Sequence, residues 1–183
     1  PHVLYDLLGW VKSDLIGKFY VDATDELPDV REALDLCNEI GAISAYAYLG
    51  DVGDSVTGDK RAQKFEDDYL EDWVAFVKSL GFDAITYMPS RNTPQQLARL
   101  RAVIAANGLW EISGEDINTS RQQFVCASMR DAYFDALRTS AYALIAHERR
   151  AQENKADGMF GANSIARYPD LAARAEAFAD MVR

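Results

Sequence analysis

Carboxylates gather in two polar stretches of this sequence. One holds Asp51, Asp54 and Asp59; the other holds Glu115, Asp116 and Asn118. Hard divalent cations are bound by carboxylate and amide oxygens, so two such stretches on one rim could place Mg²⁺ or Mn²⁺. An ion so placed polarises a phosphoryl oxygen or lowers the pKa of a bound water. Asp and Asn beside glycine also make turns and caps, and Asp51-Val52-Gly53-Asp54 reads first in that way. Gly114-Glu115-Asp116-Ile117-Asn118 is the more informative stretch, because two acids and an amide directly follow an apolar run. Arg91 and Arg121 lie in the same polar regions. Guanidinium groups bind phosphate bidentately, and they equally well neutralise neighbouring acids.

The other reactive side chains point elsewhere. His147 sits inside the apolar run Ala143-Leu144-Ile145-Ala146-His147 and reads as a packed helical residue rather than a ligand. Cys37 and Cys126 have no Cys-x-x-Cys neighbour, so neither a zinc site nor a redox pair is indicated. No glycine-rich nucleotide fingerprint and no Gly-x-Ser-x-Gly elbow occurs. Tyr46, Tyr48 and Tyr87 alternate with small residues and read as core, the latter two near a rim.

Positioning these groups requires a regular framework. Apolar spacing predicts an amphipathic helix over 2–16 and a short strand over 18–23. A helix then opens at Leu27-Pro28 and stops at Gly41. Strands are expected at 42–48, 84–88 and 109–112, and helices at 62–80, 93–107, 129–152 and 169–181. Thr93-Pro94 marks an N-cap and first turn. Strands alternating with helices imply an α/β fold of repeated β-α units, with parallel pairing and right-handed crossovers. Chemistry in such folds collects beyond the carboxyl ends of the strands. That rule puts 48–60, 88–92 and 113–121 on one rim.

Composition limits the partners. The chain has 183 residues, with 19 Lys and Arg against 29 Asp and Glu, for a formal charge of −10. So acidic a surface repels nucleic acid and anionic lipid. No run approaches the roughly 18–20 apolar residues that a membrane helix needs, and no basic, apolar export signal opens the chain. With two cysteines and no disulfide framework, a reducing cytoplasm is the expected compartment. A closed eight-stranded α/β barrel takes about 250 residues, so this chain is either a small open sheet or part of a larger barrel. It opens Pro1-His2-Val3, consistent with an expressed domain, a processed chain or a partial sequence.

Three segments resemble one family. Gly81-Phe82-Asp83-Ala84-Ile85-Thr86-Tyr87-Met88-Pro89-Ser90, followed by Thr93-Pro94-Gln95-Gln96, is similar to a late strand and loop of the PHP (polymerase and histidinol phosphatase) superfamily. Asn107-Gly108-Leu109 through Gly114-Glu115-Asp116-Ile117-Asn118 resembles that family's Gly-Ser-Asp-x-His ending. Gly41-Ala42-Ile43 through Tyr48-Leu49-Gly50 resembles the strand that usually ends Ala-His-Pro-Gly. Order and spacing agree over about 28–118.

The resemblance implies a distorted α/β barrel that holds divalent metal (Mn, Mg or Zn) and hydrolyses a small phosphorylated substrate. It implies that Asp116 is a metal ligand, that Asn118 and Tyr48 stand at positions usually held by His, and that Asp51 compensates for Tyr48. Glu115 and Asp116 become the expected catalytic residues, and Arg91 and Arg121 the phosphate-holding ones. The family's opening His-x-His motif is absent from the chain. The expectation is therefore one domain over 1–183, the carboxyl-terminal part of a PHP-like barrel. In it, 1–27 form a helix and linking strand, 28–152 the β-α repeats and 153–183 a helical tail. The departures at Tyr48 and Asn118 support an alternative, a catalytically degenerate module used for binding or assembly. Self-association through an exposed sheet edge is expected of such a half-barrel.

Overall fold

A computed structural model of the chain describes residues 2–51, 66–117 and 123–183. The amino-terminal segment is helical, as α1 (Val3–Trp10), a π-helical stretch (Val11–Leu15) and α2 (Ile16–Phe19). Neither α1 nor α2 buries a residue, and Leu4 is 82% and Trp10 53% exposed. The strand expected at 18–23 does not form: Lys18 and Phe19 end α2, and 20–23 have no regular structure. Phe-Tyr-Val suits a pleated surface, but a strand with no neighbour leaves its backbone groups unpaired.

Helix α3 (Val30–Ile40) starts three residues later than Leu27, because Asp29 is the cap: its carboxylate accepts from the Arg31 amide at 2.8 Å. Gly41, at φ 77°, ends it in the left-handed conformation. Strand β1 (Ala45–Ala47) is shorter than the apolar run 42–48 that announces it. Helix α4 (Leu70–Leu80) follows a single 3₁₀ turn at Asp67–Tyr69, so it begins well inside the expected 62–80. Strand β2 (Ala84–Tyr87) leads to α5 (Pro94–Ala106). Thr93 caps α5 through a full capping box with Gln96. Strand β3 (Trp110–Ser113) is followed by two 3₁₀ turns, at Ala127–Arg130 and Ala132–Phe134. They replace the first turns of the helix expected from 129, and α6 runs Asp135–Glu153. Two shorter helices, α7 (Ala162–Arg167) and α8 (Leu171–Ala179), complete the described chain.

The three strands form one parallel sheet in the order β1-β2-β3, with Ala45 opposite Ala84 and Ala84 opposite Trp110. The repeated β-α organisation is thus present, and the sheet is open. Alternation along the strands divides the core into two. Ile85 and Tyr87 point into a cluster with Leu70 and Val74 of α4 and Leu97, Leu100 and Ile104 of α5. Ala84, Trp110 and Ile112 point the other way, into a cluster with Ala143 and Ala146 of α6 and Phe178 and Ala179 of α8. Helices therefore cover both faces. Burial on both faces explains why β2 reads as a continuous apolar run rather than an alternating one.

Candidate functional site at the carboxyl ends of the strands

The loops that follow the three strands are tied to one another. Asn92, after β2, donates its side-chain amide to the Leu49 carbonyl at 2.9 Å and accepts from the Met88 amide at 3.2 Å. Gln96, in the first turn of α5, donates to the Asp51 carbonyl and to the Asp67 carboxylate, both at 2.8 Å. Ser90 donates its amide and hydroxyl to the two oxygens of Glu115, at 2.7 and 2.6 Å. Gly114 donates its amide to the Tyr87 carbonyl, extending the ladder by one step. A Cβ on Gly114 would lie 2.6 Å from the Thr86 hydroxyl, so only glycine lets the third loop leave the sheet this closely.

Beneath the first loop is a carboxylate clasp that sequence reasoning missed. Glu66, 1% exposed, accepts from the amides of Leu49 and Gly50 at 2.9 and 2.8 Å and from the Tyr46 hydroxyl at 3.2 Å. Asp51 returns the contact, its carboxylate accepting from the Glu66 amide at 3.1 Å. Tyr48 donates its hydroxyl to Asp67, and the Asp51 amide bonds the same carboxylate at 3.2 Å. Gly50 takes φ 70°, which directs successive amides toward Glu66; a Cβ there would sit 2.8 Å from Asn92 Nδ2. Burial raises the Glu66 carboxyl above its ordinary value, and the two amides oppose that shift. Burial, and then the bond to Asp67, push the Tyr48 phenol far up, so it stays a neutral donor.

The expected site residues divide into three groups. Asp51, Arg91, Glu115 and Asp116 all lie on this rim: Arg91 and Glu115 are half-buried and Asp116 is exposed. Tyr48 is 1% exposed and belongs to the core beneath the rim. Asn118, Arg121, Asp54 and Asp59 lie outside the described residues. His147 is packed at the opposite end of the sheet, as its apolar neighbours suggest.

The functional residues missed are Glu66, Asp67, Asn92 and Gln96. Glu66, Asp67 and Asp68 fall within the helix expected over 62–80, which gives them no role. The available signal was Gln96 at the third position after Thr93, which announces a capping box and says nothing of the second loop it reaches.

Metal ligation requires several donors converging. Among the described residues, no three His, Cys, Asp or Glu side chains come together in that way. One Asp51 oxygen is engaged by backbone amides, and both Glu115 oxygens by Ser90. The described residues therefore do not by themselves make up a metal site. No family model, curated protein or solved structure matches the chain. Among the described residues, no helix is long and apolar enough to cross a membrane.

Proposed function

We propose that this chain is the carboxyl-terminal part of a PHP-like, metal-dependent phosphoester hydrolase and supplies only part of the active site. One observation carries the reading. Three successive strand-end loops are stitched into a single lip that bears Asp51, Arg91, Glu115 and Asp116. The parallel, sequential strand order is also that of consecutive units in an α/β barrel. Membership of a distorted barrel is part of the proposal. In a closed barrel the second face of the sheet turns inward, so α6 and α8, which pack on that face here, would have to leave it for the sheet to close.

In this reading Asp116 and Asp51, together with Asn118, contribute ligands to Mn, Mg or Zn, and the rest of the ligand set comes from outside the described residues. Arg91 and Arg121 hold the phosphate of a small substrate. Glu115 acts as an acid or base, or keeps its loop in place through Ser90. The chain alone is expected to have low or no activity. An acidic surface of −10 disfavours nucleic acid as substrate.

The test is hydrolysis of p-nitrophenyl phosphate by the full-length protein, stripped of metal and then supplied with Mn²⁺, Mg²⁺ or Zn²⁺. Metal-dependent turnover that Asp116→Ala abolishes supports the reading. Turnover unaffected by chelation, or untouched by Asp116→Ala, overturns it.

A second reading, a degenerate module used for binding or assembly, is favoured by Tyr48. The residue standing where the resemblance places a His ligand is buried and committed to Asp67. A degenerate module purifies without stoichiometric metal, and its melting temperature does not rise when metal is added, whereas an ion that binds the native state must raise it.

A further inference from the structure

We propose that His147 is a proton-operated latch: its neutral imidazole holds the turn at 155–161 against the amino-terminal end of the sheet, and protonation releases that turn. The latch lies at the far end of the strands from the rim and is independent of the reading above.

The geometry fixes the protonation state. His147 Nδ1 accepts from the Met159 amide at 2.9 Å, in a buried setting. A neutral ring whose Nδ1 accepts carries its proton on Nε2, and Gly41 lines the same cavity as the ring. The ring is therefore the neutral Nε2–H tautomer, one nitrogen accepting and one donating. It joins its own helix α6 to the turn that leads into α7.

Protonation would place an N–H on Nδ1 facing the Met159 N–H, two donors with no acceptor between them. On the side of the turn the ring is closely packed. A Cβ on Gly158 would lie 3.0 Å from both His147 Cε1 and Nδ1, so the turn is packed against the ring. Met159 is fully buried in the second core cluster, and the ring of the next residue, Phe160, packs at a tilt against Trp110 with centroids 6.0 Å apart. Losing the Met159 bond thus loosens the seat of α7 and α8 together.

The charges around the ring compete. Asp83, before β2, and Glu148, on α6, favour the imidazolium, and Lys155 lines the same cavity of about 280 Å³. Burial outweighs the carboxylates and lowers the pKa below the ordinary value, near 6.5. The sign follows. A group whose pKa is depressed in the folded state binds fewer protons there than when unfolded. The contribution is therefore full above about pH 6.5 and is lost as pH falls through the folded-state value. The cavity, open to solvent and lined by His147, gives the proton a route to the ring.

The experiment is amide hydrogen exchange of the whole chain between pH 7.5 and 5, with rates corrected for the intrinsic pH dependence, beside an NMR titration of the His147 ring. Protection at Met159 and Gly161 is expected to fall at least tenfold in wild type as the ring titrates below pH 6.5. His147→Asn puts an amide oxygen near the Nδ1 position, keeps the acceptor and removes the titration, so its protection at Met159 should stay flat. Wild-type protection that does not change with pH overturns the latch, as does a His147 pKa at or above 6.5. Should His147→Asn fail to fold, the wild-type titration and exchange profile decide alone.

Discussion

Asn92 and Leu49 are joined across 43 residues of sequence by a 2.9 Å bond from the side-chain amide to the backbone carbonyl, and this bond links the first two strand-end loops. Asn92 is 6% exposed, and its carbonyl oxygen also accepts from Met88. Asn92→Ala leaves an acceptor and a donor unsatisfied, at about 1–3 kcal/mol for each buried group. The expected loss is about 2 kcal/mol in urea unfolding. Asn92→Asp should cost no less, because it keeps the acceptor, removes the donor and adds a charge beside a cluster of carboxylates. Alanine within 0.5 kcal/mol of wild type would show that the loops hold together without this bond.

On the first core's side of the sheet, Arg101 of α5 meets Glu111 of β3 in a two-pronged pair at 2.8 and 3.0 Å, and Tyr87 of β2 donates to the same carboxylate at 2.6 Å. Both charged side chains are about one-fifth exposed. Burial and the Glu111 bond hold the Tyr87 phenol up, so it serves as a donor at all ordinary pH. Removing one partner of a buried pair costs about 3–5 kcal/mol, and partial exposure brings that to about 2 kcal/mol here. Arg101→Met should therefore destabilise by about 2 kcal/mol, and Tyr87→Phe by about 1 kcal/mol. The two share Glu111, so the double variant should depart from additivity by at least 0.5 kcal/mol, measured by a double-mutant cycle.

Local signals in the sequence reached the elements, and tertiary ones did not. Thr93-Pro94, Gly41, Gly81 and Gly108 mark helix ends by chemistry that acts within a few residues, and each sits at a helix boundary. The strand core at 84–87 is a mostly apolar run and that at 110–113 alternates apolar with polar residues, both of the length a short buried strand needs. Phe19, Tyr20 and Val21 carry the same local signal, yet strand formation needs a neighbour, which no local pattern supplies. The rim was legible in outline, because strand ends in a parallel sheet share a side. Its stitching was not: Glu66 reaches Leu49 and Gly50, and Gln96 reaches Asp51, over separations of 16 to 45 residues. Which helix takes which face was equally hidden: Trp110 and Ile112 alternate with Glu111 and Ser113 and mark a buried side of β3, but nothing local says that α6 covers it.

The amino-terminal helix should drive association. Val3, Leu4, Leu7, Leu8, Trp10, Ile16 and Phe19 are all exposed, and β1 is an edge strand whose Ala45 and Ala47 are exposed too. Large apolar side chains exposed in such number seek a partner. Light scattering coupled to size exclusion should show mass rising with concentration for the isolated chain. Leu4→Glu combined with Leu8→Glu should shift it toward monomer without moving the melting temperature by more than about 2 °C, because neither side chain is buried. A concentration-independent monomer in the wild type would remove this expectation.

Glu66 gives the sharpest separation between charge and hydrogen bonding. The carboxylate is buried beneath the first loop and is met by two amides and a phenol. Burial disfavours its charged form, as its raised pKa records. Glu66→Gln keeps an amide oxygen for Leu49 and Gly50 and removes the buried charge, so the weaker bonds and the relieved desolvation nearly cancel. Stability within about 1 kcal/mol of wild type is expected. Glu66→Ala instead orphans the donors of Leu49, Gly50 and Tyr46, and a loss of about 3 kcal/mol or more is expected from three buried groups. If glutamine were as damaging as alanine, the ionised carboxylate itself would be holding the loop. The lip that carries Asp51 would then rest on charge rather than on backbone donors.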